Sequence, residues 1–124
     1  MDYLVIPAYE PDYNLIRLIK KVREKSDFEV IVINDGSSAS CNRVFEQAAT
    51  YATILHHSLN QGKGQALKTA FCYIQSQGHY GVIVTADADG QHKLWDILRV
   101  ANCAHEQPQK LILGARSFTG KVPL

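Results

Sequence analysis

Two aspartates, Asp87 and Asp89, stand one residue apart in the segment Ala86–His92, directly after the apolar run Gly81-Val82-Ile83-Val84-Thr85. In extended backbone, side chains at i and i+2 project to the same side. Two carboxylates so placed repel, which raises the pKa of one of them unless a cation lies between them. The amide of Gln91 adds a third oxygen. Asp87, Asp89 and Gln91 thus form a candidate set for a hard divalent ion, Mg²⁺ or Mn²⁺, which keeps positions open for phosphate oxygens. The same residues also suit a plain solvated turn bent at Asp89-Gly90. An EF-hand loop does not fit, because His92 stands where that loop needs glycine. His92 itself is either a ligand or substrate contact, or a surface histidine.

Other polar clusters offer complementary chemistry. Asn34-Asp35-Gly36-Ser37-Ser38 reads as a turn with a helix cap, or as a site where Asp35 accepts a hydrogen bond from a nucleobase N–H. Asn60-Gln61-Gly62-Lys63-Gly64 places Lys63 where a helix begins, a position that suits an anion. It is not a Walker phosphate loop, since His57 and Gly64 occupy positions that require glycine and Ser/Thr. Arg116 is either a phosphate clamp or a surface arginine. His56, His57, His79 and His105 lack ligand spacing and read as structural. Cys41, Cys72 and Cys103 are far apart and without Cys-x-x-Cys spacing, so they read as reduced packing residues.

The elements that must position these residues follow from hydrophobic patterning. Tyr3-Leu4-Val5-Ile6, Val30–Ile33, Thr53–His56, Gly81–Thr85 and Lys110–Leu113 read as strands. Apolar runs without polar alternation indicate strands buried on both faces of a parallel sheet. Between them, Leu15/Leu18/Ile19/Val22, Val44/Phe45/Ala48, Leu67/Ala70/Phe71/Ile74 and Leu94/Ile97/Leu98/Ala101 mark helical faces. Asp12 is the expected N-cap of the first helix, and Gly78 the stop of the third. Strand and helix alternate, which predicts an α/β fold: a Rossmann-like, mostly parallel sheet of about five strands with helices on both faces. Every polar cluster follows a strand, so all converge on the carboxyl edge of the sheet, where such folds bind ligands.

Composition narrows the functional classes. The 124 residues carry a formal net charge of +1, with 46% hydrophobic and 20% charged residues, so the prediction is one globular domain. A near-neutral balance gives no electrostatic case for nucleic acid. No apolar stretch has the length of a membrane span, and the expected location is the cytoplasm.

With these clusters in place, the chain resembles the family 2 glycosyltransferases of the GT-A fold, nearest in pattern to dolichyl-phosphate mannose or glucose synthase-like enzymes. The segments that carry the resemblance are Val5–Pro11 (VIPAYEP), Val32–Ser38 (VINDGSS), Asn60–Leu67 (NQGKGQAL), Thr85–His92 (TADADGQH) and Leu113–Arg116 (LGAR). The resemblance implies that Pro7, Tyr9 and Glu10 line the nucleotide pocket, that Asp35 faces the base and that Lys63 lies close by. It places Asp87 near the ribose and diphosphate, Asp89 and Gln91 at the metal, and Arg116 near the donor diphosphate or an acceptor phosphate. Asp89 and Arg116 are thereby the candidates for direct roles in transfer. Asn34 departs mildly from the aspartate that usually opens the family's DDGS motif.

The implied reaction is metal-dependent, inverting transfer from a UDP- or GDP-sugar to an acceptor. That acceptor would be a polyprenyl phosphate at the cytoplasmic face of a membrane, or a saccharide, in cell-envelope polysaccharide assembly. Family members continue well beyond the segment resembling Phe118–Leu124, so the expectation is a nucleotide-sugar half, truncated before the acceptor-binding region and prone to self-association. Two rivals stand beside it. A nucleotidyltransferase would need a glycine- and arginine-rich loop after the first strand, where Pro7-Ala8-Tyr9-Glu10 stands instead. A module that binds nucleotide-sugar without turnover needs only the donor-side loops.

Overall fold

The structure, a computed structural model, describes residues 1–78 and 80–88, together with Ile97, Arg99 and the strand at 112–115. Five strands form one parallel sheet: β1 (Tyr3–Ala8), β2 (Glu29–Asp35), β3 (Thr53–His57), β4 (Ile83–Ala86) and β5 (Ile112–Ala115), in the spatial order β3-β2-β1-β4-β5. Three helices connect the first four strands: α1 (Asn14–Lys25), α2 (Asn42–Ala48) and α3 (Lys63–Ser76). The α/β parallel architecture is the one the hydrophobic patterning predicts.

The period of two along the strands sorts the core into layers. Leu4, Ile6 and Ala8 of β1 and Val30 and Val32 of β2 pack with Leu15, Leu18, Ile19 and Val22 of α1 and with Val44, Phe45 and Ala48 of α2. Their alternates, Tyr3, Val5, Ile31 and Ile33, pack with Ala66, Ala70 and Ile74 of α3. The two central strands therefore present apolar side chains to both faces. Right-handed crossovers account for the sidedness. The steps β1 to β2 and β2 to β3 run one way across the sheet, whereas β3 to β4 runs back past β1, so α3 lies on the opposite face.

That reversal creates a switch point between β1 and β4, where α/β sheets open a crevice for ligands. The register shows the opening. β1 pairs with β2 along its whole length, from Tyr3↔Glu29 to Ala8↔Asn34, but with β4 only from Tyr3↔Ile83 to Val5↔Thr85. Pro7, which has no N–H to give a ladder, lies beyond the end of the β4 pairing.

Several boundaries differ from those the sequence suggests. Pro7 lies inside β1, because parallel pairing to β2 continues through Ala8. β2 runs on through Asn34 and Asp35, so these two residues belong to the sheet and not to the turn. β4 starts at Ile83, and β5 extends to Ala115. Helix α1 starts at Asn14 with Tyr13 in the cap position, yet the Asp12 carboxylate still accepts the Asn14 N–H at 2.9 Å. Cys41 is buried as expected, whereas Cys72 is exposed, because it falls on the outer side of α3. Ile97 is fully buried on the α1/α2 side. Leu94, Leu98, Ala101, His79, His105 and Cys103 lie outside the described residues.

Ile74 is 0% exposed beneath the sheet. Ile74→Ala is expected to lower unfolding free energy by about 2–5 kcal/mol, the range for an aliphatic side chain lost from a close-packed core. Cys72→Ala, on the same helix but exposed, is expected to change it by no more than about 0.5 kcal/mol. Urea unfolding of both variants checks the pair, and equal losses would contradict the layer assignment.

Candidate functional site

The site is assembled from loops at the carboxyl ends of β1, β2, β3 and β4. Its centre is Asp35, the last residue of β2, with a side chain 5% exposed. Because β2 alternates, Asp35 falls on the α3 side of the sheet and Asn34 on the α1/α2 side. Parallel register then sets Asn34 beside His56 and Asp35 beside His57 at the end of β3.

Both carboxylate oxygens of Asp35 are engaged. Oδ1 accepts the Gln61 N–H at 2.9 Å and faces His57 Nδ1 at 2.9 Å. Oδ2 accepts the Gly62 N–H at 2.9 Å and the Asn60 amide at 3.3 Å; the same amide also reaches the Asp35 carbonyl at 3.2 Å. Burial pushes the Asp35 carboxyl up, but the Gln61 N–H, the His57 ring and the Gly62 N–H together outweigh it and hold the pKa below the usual value. One carboxylate thus ties the loop between β3 and α3 to the end of β2. Gly36 brings the two segments together. Its φ of +74° suits glycine, and a Cβ there would run into the backbone of Leu59 and Asn60.

A second tie joins β1 to β2. The Glu10 carboxylate accepts the Ser38 N–H and, at 2.9 Å, the Ser38 hydroxyl, while the Glu10 N–H donates to Ser37 Oγ at 2.9 Å. Glu10 itself has φ +52°, a left-handed conformation uncommon outside glycine. These bonds hold Glu10 in it and leave Tyr9 beside it 58% exposed. A third tie crosses the switch point, where Lys63, the first residue of α3, donates from Nζ to Asp87 Oδ1 at 2.8 Å. Both side chains are substantially exposed, so this pair is worth little as a stabiliser. Its value is that it sets a mobile cation and a carboxylate side by side.

Of the residues singled out from sequence, Pro7, Tyr9, Glu10, Asp35, Lys63 and Asp87 are thus gathered at one edge. Asp89, Gln91, His92 and Arg116 lie outside the described residues. Among the described residues, no cluster of three or more His, Cys, Asp or Glu side chains is arranged to hold a metal ion. A cavity of about 410 Å³ opens elsewhere, beside the β3 edge, lined by Phe45, Ile54 and His56 among others.

Sequence reasoning missed two residues. His57 contacts Asp35 directly. His56 Nδ1 lies 3.0 Å from the Asn34 amide nitrogen, and Asn34 Oδ1 accepts the Ser37 N–H. Since that oxygen is the acceptor, the amide nitrogen is the donor and His56 Nδ1 accepts. The signal was there: His56-His57 is a polar pair at the end of an apolar strand, like every other cluster at this edge.

A depressed carboxylate links this site to acid stability. The stabilisation from Asp35 is complete above the unfolded value of about 3.9 and is lost as pH falls through the lower folded value. Wild type is therefore expected to be more stable than Asp35→Asn at neutral pH, with the gap closing below about pH 4. Thermal unfolding across that range tests this, and a gap independent of pH would show that the charge of Asp35 is immaterial.

Residues 3–123 match the family described as Glycosyl transferase family 2. Among curated proteins, the chain is 31% identical over 108 residues to a dolichyl-phosphate beta-glucosyltransferase of Saccharomyces cerevisiae, covering 76% of this chain and 31% of that protein. It is 23% identical over 129 residues to a UDP-N-acetylglucosamine–dolichyl-phosphate N-acetylglucosaminyltransferase of Methanococcus voltae, covering 92% and 51%. It is 27% identical over 110 residues to an undecaprenyl-phosphate 4-deoxy-4-formamido-L-arabinose transferase of Proteus mirabilis, covering 83% and 33%. The chain spans about a third to a half of the length of the curated relatives it matches. No match to a solved structure reached significance. With the family's match running across almost the whole sheet and every loop of the site, the chain belongs to the family 2 glycosyltransferases.

Proposed function

We propose that this chain binds a nucleoside-diphosphate sugar at the β1/β4 switch point and serves inverting transfer of the sugar to a polyprenyl phosphate. The observation that carries the reading is the Lys63–Asp87 pair, which sets a phosphate-seeking cation and a cation-seeking carboxylate across that crevice. The named relatives act, by their names, on dolichyl or undecaprenyl phosphate, and one of them uses a UDP-sugar.

The proposal assigns each residue a role. Asp35 reads the base: an incoming N–H takes the place of the Asn60 amide, the longest of its carboxylate contacts at 3.3 Å. Pro7, Tyr9 and Glu10 form the wall on the β1 side, and exposed Tyr9 offers a ring face for stacking. Lys63 turns from Asp87 to the diphosphate, aided by the amino end of α3. Arg116 binds a phosphate of donor or acceptor.

The Asp87 side chain faces the Lys63 ammonium and is 40% exposed, which suits a place in a metal-binding set. With Asp89 and Gln91 it would offer hard oxygen ligands that fit Mg²⁺ or Mn²⁺. When bound, such an ion supplies charge neutralisation for the departing diphosphate. A polyprenyl phosphate is already an anion, so the acceptor needs no strong general base. A site at the cytoplasmic face of a membrane fits such an acceptor. Among the described residues no helix is long and apolar enough to cross a membrane.

Calorimetry with UDP- and GDP-sugars, with and without Mn²⁺, tests the donor half of this proposal. Asp89→Asn is expected to weaken Mn²⁺-dependent binding by about tenfold or more while leaving metal-free binding nearly unchanged, because the ligand loses charge but keeps its shape. Equal losses would make Asp89 structural, and absence of binding to either nucleotide class would overturn the proposal.

Transfer itself is tested with radiolabelled donor and polyprenyl phosphate in detergent. Rate depends on holding the nucleophile about 3–3.5 Å from the reacting carbon, and the acceptor-side candidates in this sequence are Arg116 and Lys121. The expected outcome for the 124-residue chain is donor binding without transfer. Turnover that depends on Asp87 and Asp89 would show instead that the chain holds its acceptor unaided.

A further inference from the structure

We propose that His57 is a positioning residue for the nucleotide loop, acting through Asp35. The inference rests on the donor-binding reading for its functional consequence, but its structural basis stands apart from it. The His57 side chain is 7% exposed and both ring nitrogens are engaged: Nδ1 with Asp35 Oδ1 at 2.9 Å and Nε2 with Thr69 Oγ1 at 2.8 Å. The imidazole therefore bridges the end of β2 to the second turn of α3. The same Asp35 carboxylate holds the loop by the Gln61 and Gly62 amides.

Proton counting fixes its orientation. An ionised carboxylate only accepts, so Nδ1 carries a proton whether the ring is neutral or charged. The Thr69 hydroxyl has a single proton and two acceptors within reach, Nε2 at 2.8 Å and the Gln65 carbonyl at 3.1 Å. In the neutral ring the hydroxyl donates to Nε2. In the charged ring Nε2–H donates to the hydroxyl oxygen, and the hydroxyl turns to Gln65. Either state keeps the Nδ1–H on Asp35, and passing between them takes only a hydroxyl rotation.

The consequence concerns which carboxylate oxygen stays fixed. With His57 and the Gln61 N–H both on Oδ1, the side chain of Asp35 cannot rotate, and Oδ2 keeps the Gly62 N–H together with the exchangeable Asn60 amide. His57 thereby holds Oδ2 as the oxygen open to a base.

Substitutions that mimic one ring nitrogen each separate this role from simple core filling. The amide of Asn matches the position of Nδ1, and that of Gln the position of Nε2. His57→Asn is expected to keep the Gln61 and Gly62 amides protected from hydrogen exchange and to bind UDP or GDP like wild type. His57→Gln is expected to accelerate exchange at those two amides about tenfold and to weaken nucleotide binding by a similar factor, the loss of one hydrogen bond to a charged group. Exchange in β1 and β2 should be unchanged. Imidazole ¹⁵N spectra of wild type should show Nδ1 protonated. Where His57→Gln does not fold, His57→Leu, which also lacks a donor at the Nδ1 position, carries the test, with faster exchange confined to Gln61 and Gly62 expected.

An unprotonated Nδ1, equal behaviour of the Asn and Gln variants, or acceleration spread through the core strands would each overturn the proposal. If wild type binds neither nucleotide, the donor-binding reading fails. The exchange and ¹⁵N results then still decide whether His57 positions the loop.

Discussion

A buried carboxylate must be given donors, and the donors that Asp35 receives come from a loop more than two dozen residues away in sequence. That requirement organises the whole edge of the sheet. Leaving such a group unpartnered costs more than a neutral hydrogen bond returns. The loop between β3 and α3 is therefore drawn against β2, Gly36 must lack a side chain to let it approach, and α3 must start where Lys63 can reach Asp87. What looks in sequence like four separate turns is, in space, one linked set: Asp35 holds the loop after β3, Glu10 joins the loop after β2, and Lys63 meets Asp87 after β4.

The site is built from weak, exposed contacts on a strong frame. Glu10 with Ser37 and Ser38, and Lys63 with Asp87, lie at the surface and add little to global stability. The frame beneath them is close-packed on both faces, from Leu4 and Ile6 on one side to Val5 and Ile74 on the other. This division lets the polar groups exchange one partner for another while the strand ends that carry them stay fixed.

Much of this was legible in the sequence, because both apolar periods are strong here. Runs such as Val30–Ile33 allow little but a strand buried on two faces, and Leu15/Leu18/Ile19/Val22 allow little but a helix with one covered side. Convergence of the polar clusters on one edge followed from their order. Register was harder to read. Whether Asn34 and Asp35 belong to a turn or to the end of β2 depends on pairing with His56 and His57, a long-range match that no local window contains. For the same reason the histidines read as structural: ligand spacing along the chain was the wrong measure for a contact made across two strands. Cys72 was misplaced more simply, by treating an apolar residue as a packed one when α3 buries only Ala66, Ala70 and Ile74.

The switch point also sets an order of assembly. Of the described strands β1 is synthesised before the others, and its β2 partner follows within a few dozen residues, from Tyr3↔Glu29 onward. Its other neighbour, β4, arrives only at Tyr3↔Ile83, and Asp2 waits 80 residues for the Val82 N–H. Until then the strand destined for the centre of the sheet is an open edge, and its side chains on the α3 side are uncovered as well, since α3 precedes β4 only narrowly. Such an edge invites pairing with another chain. The topology that opens a crevice for a nucleotide in the finished protein thus also leaves its central strand waiting longest on the ribosome for a second neighbour.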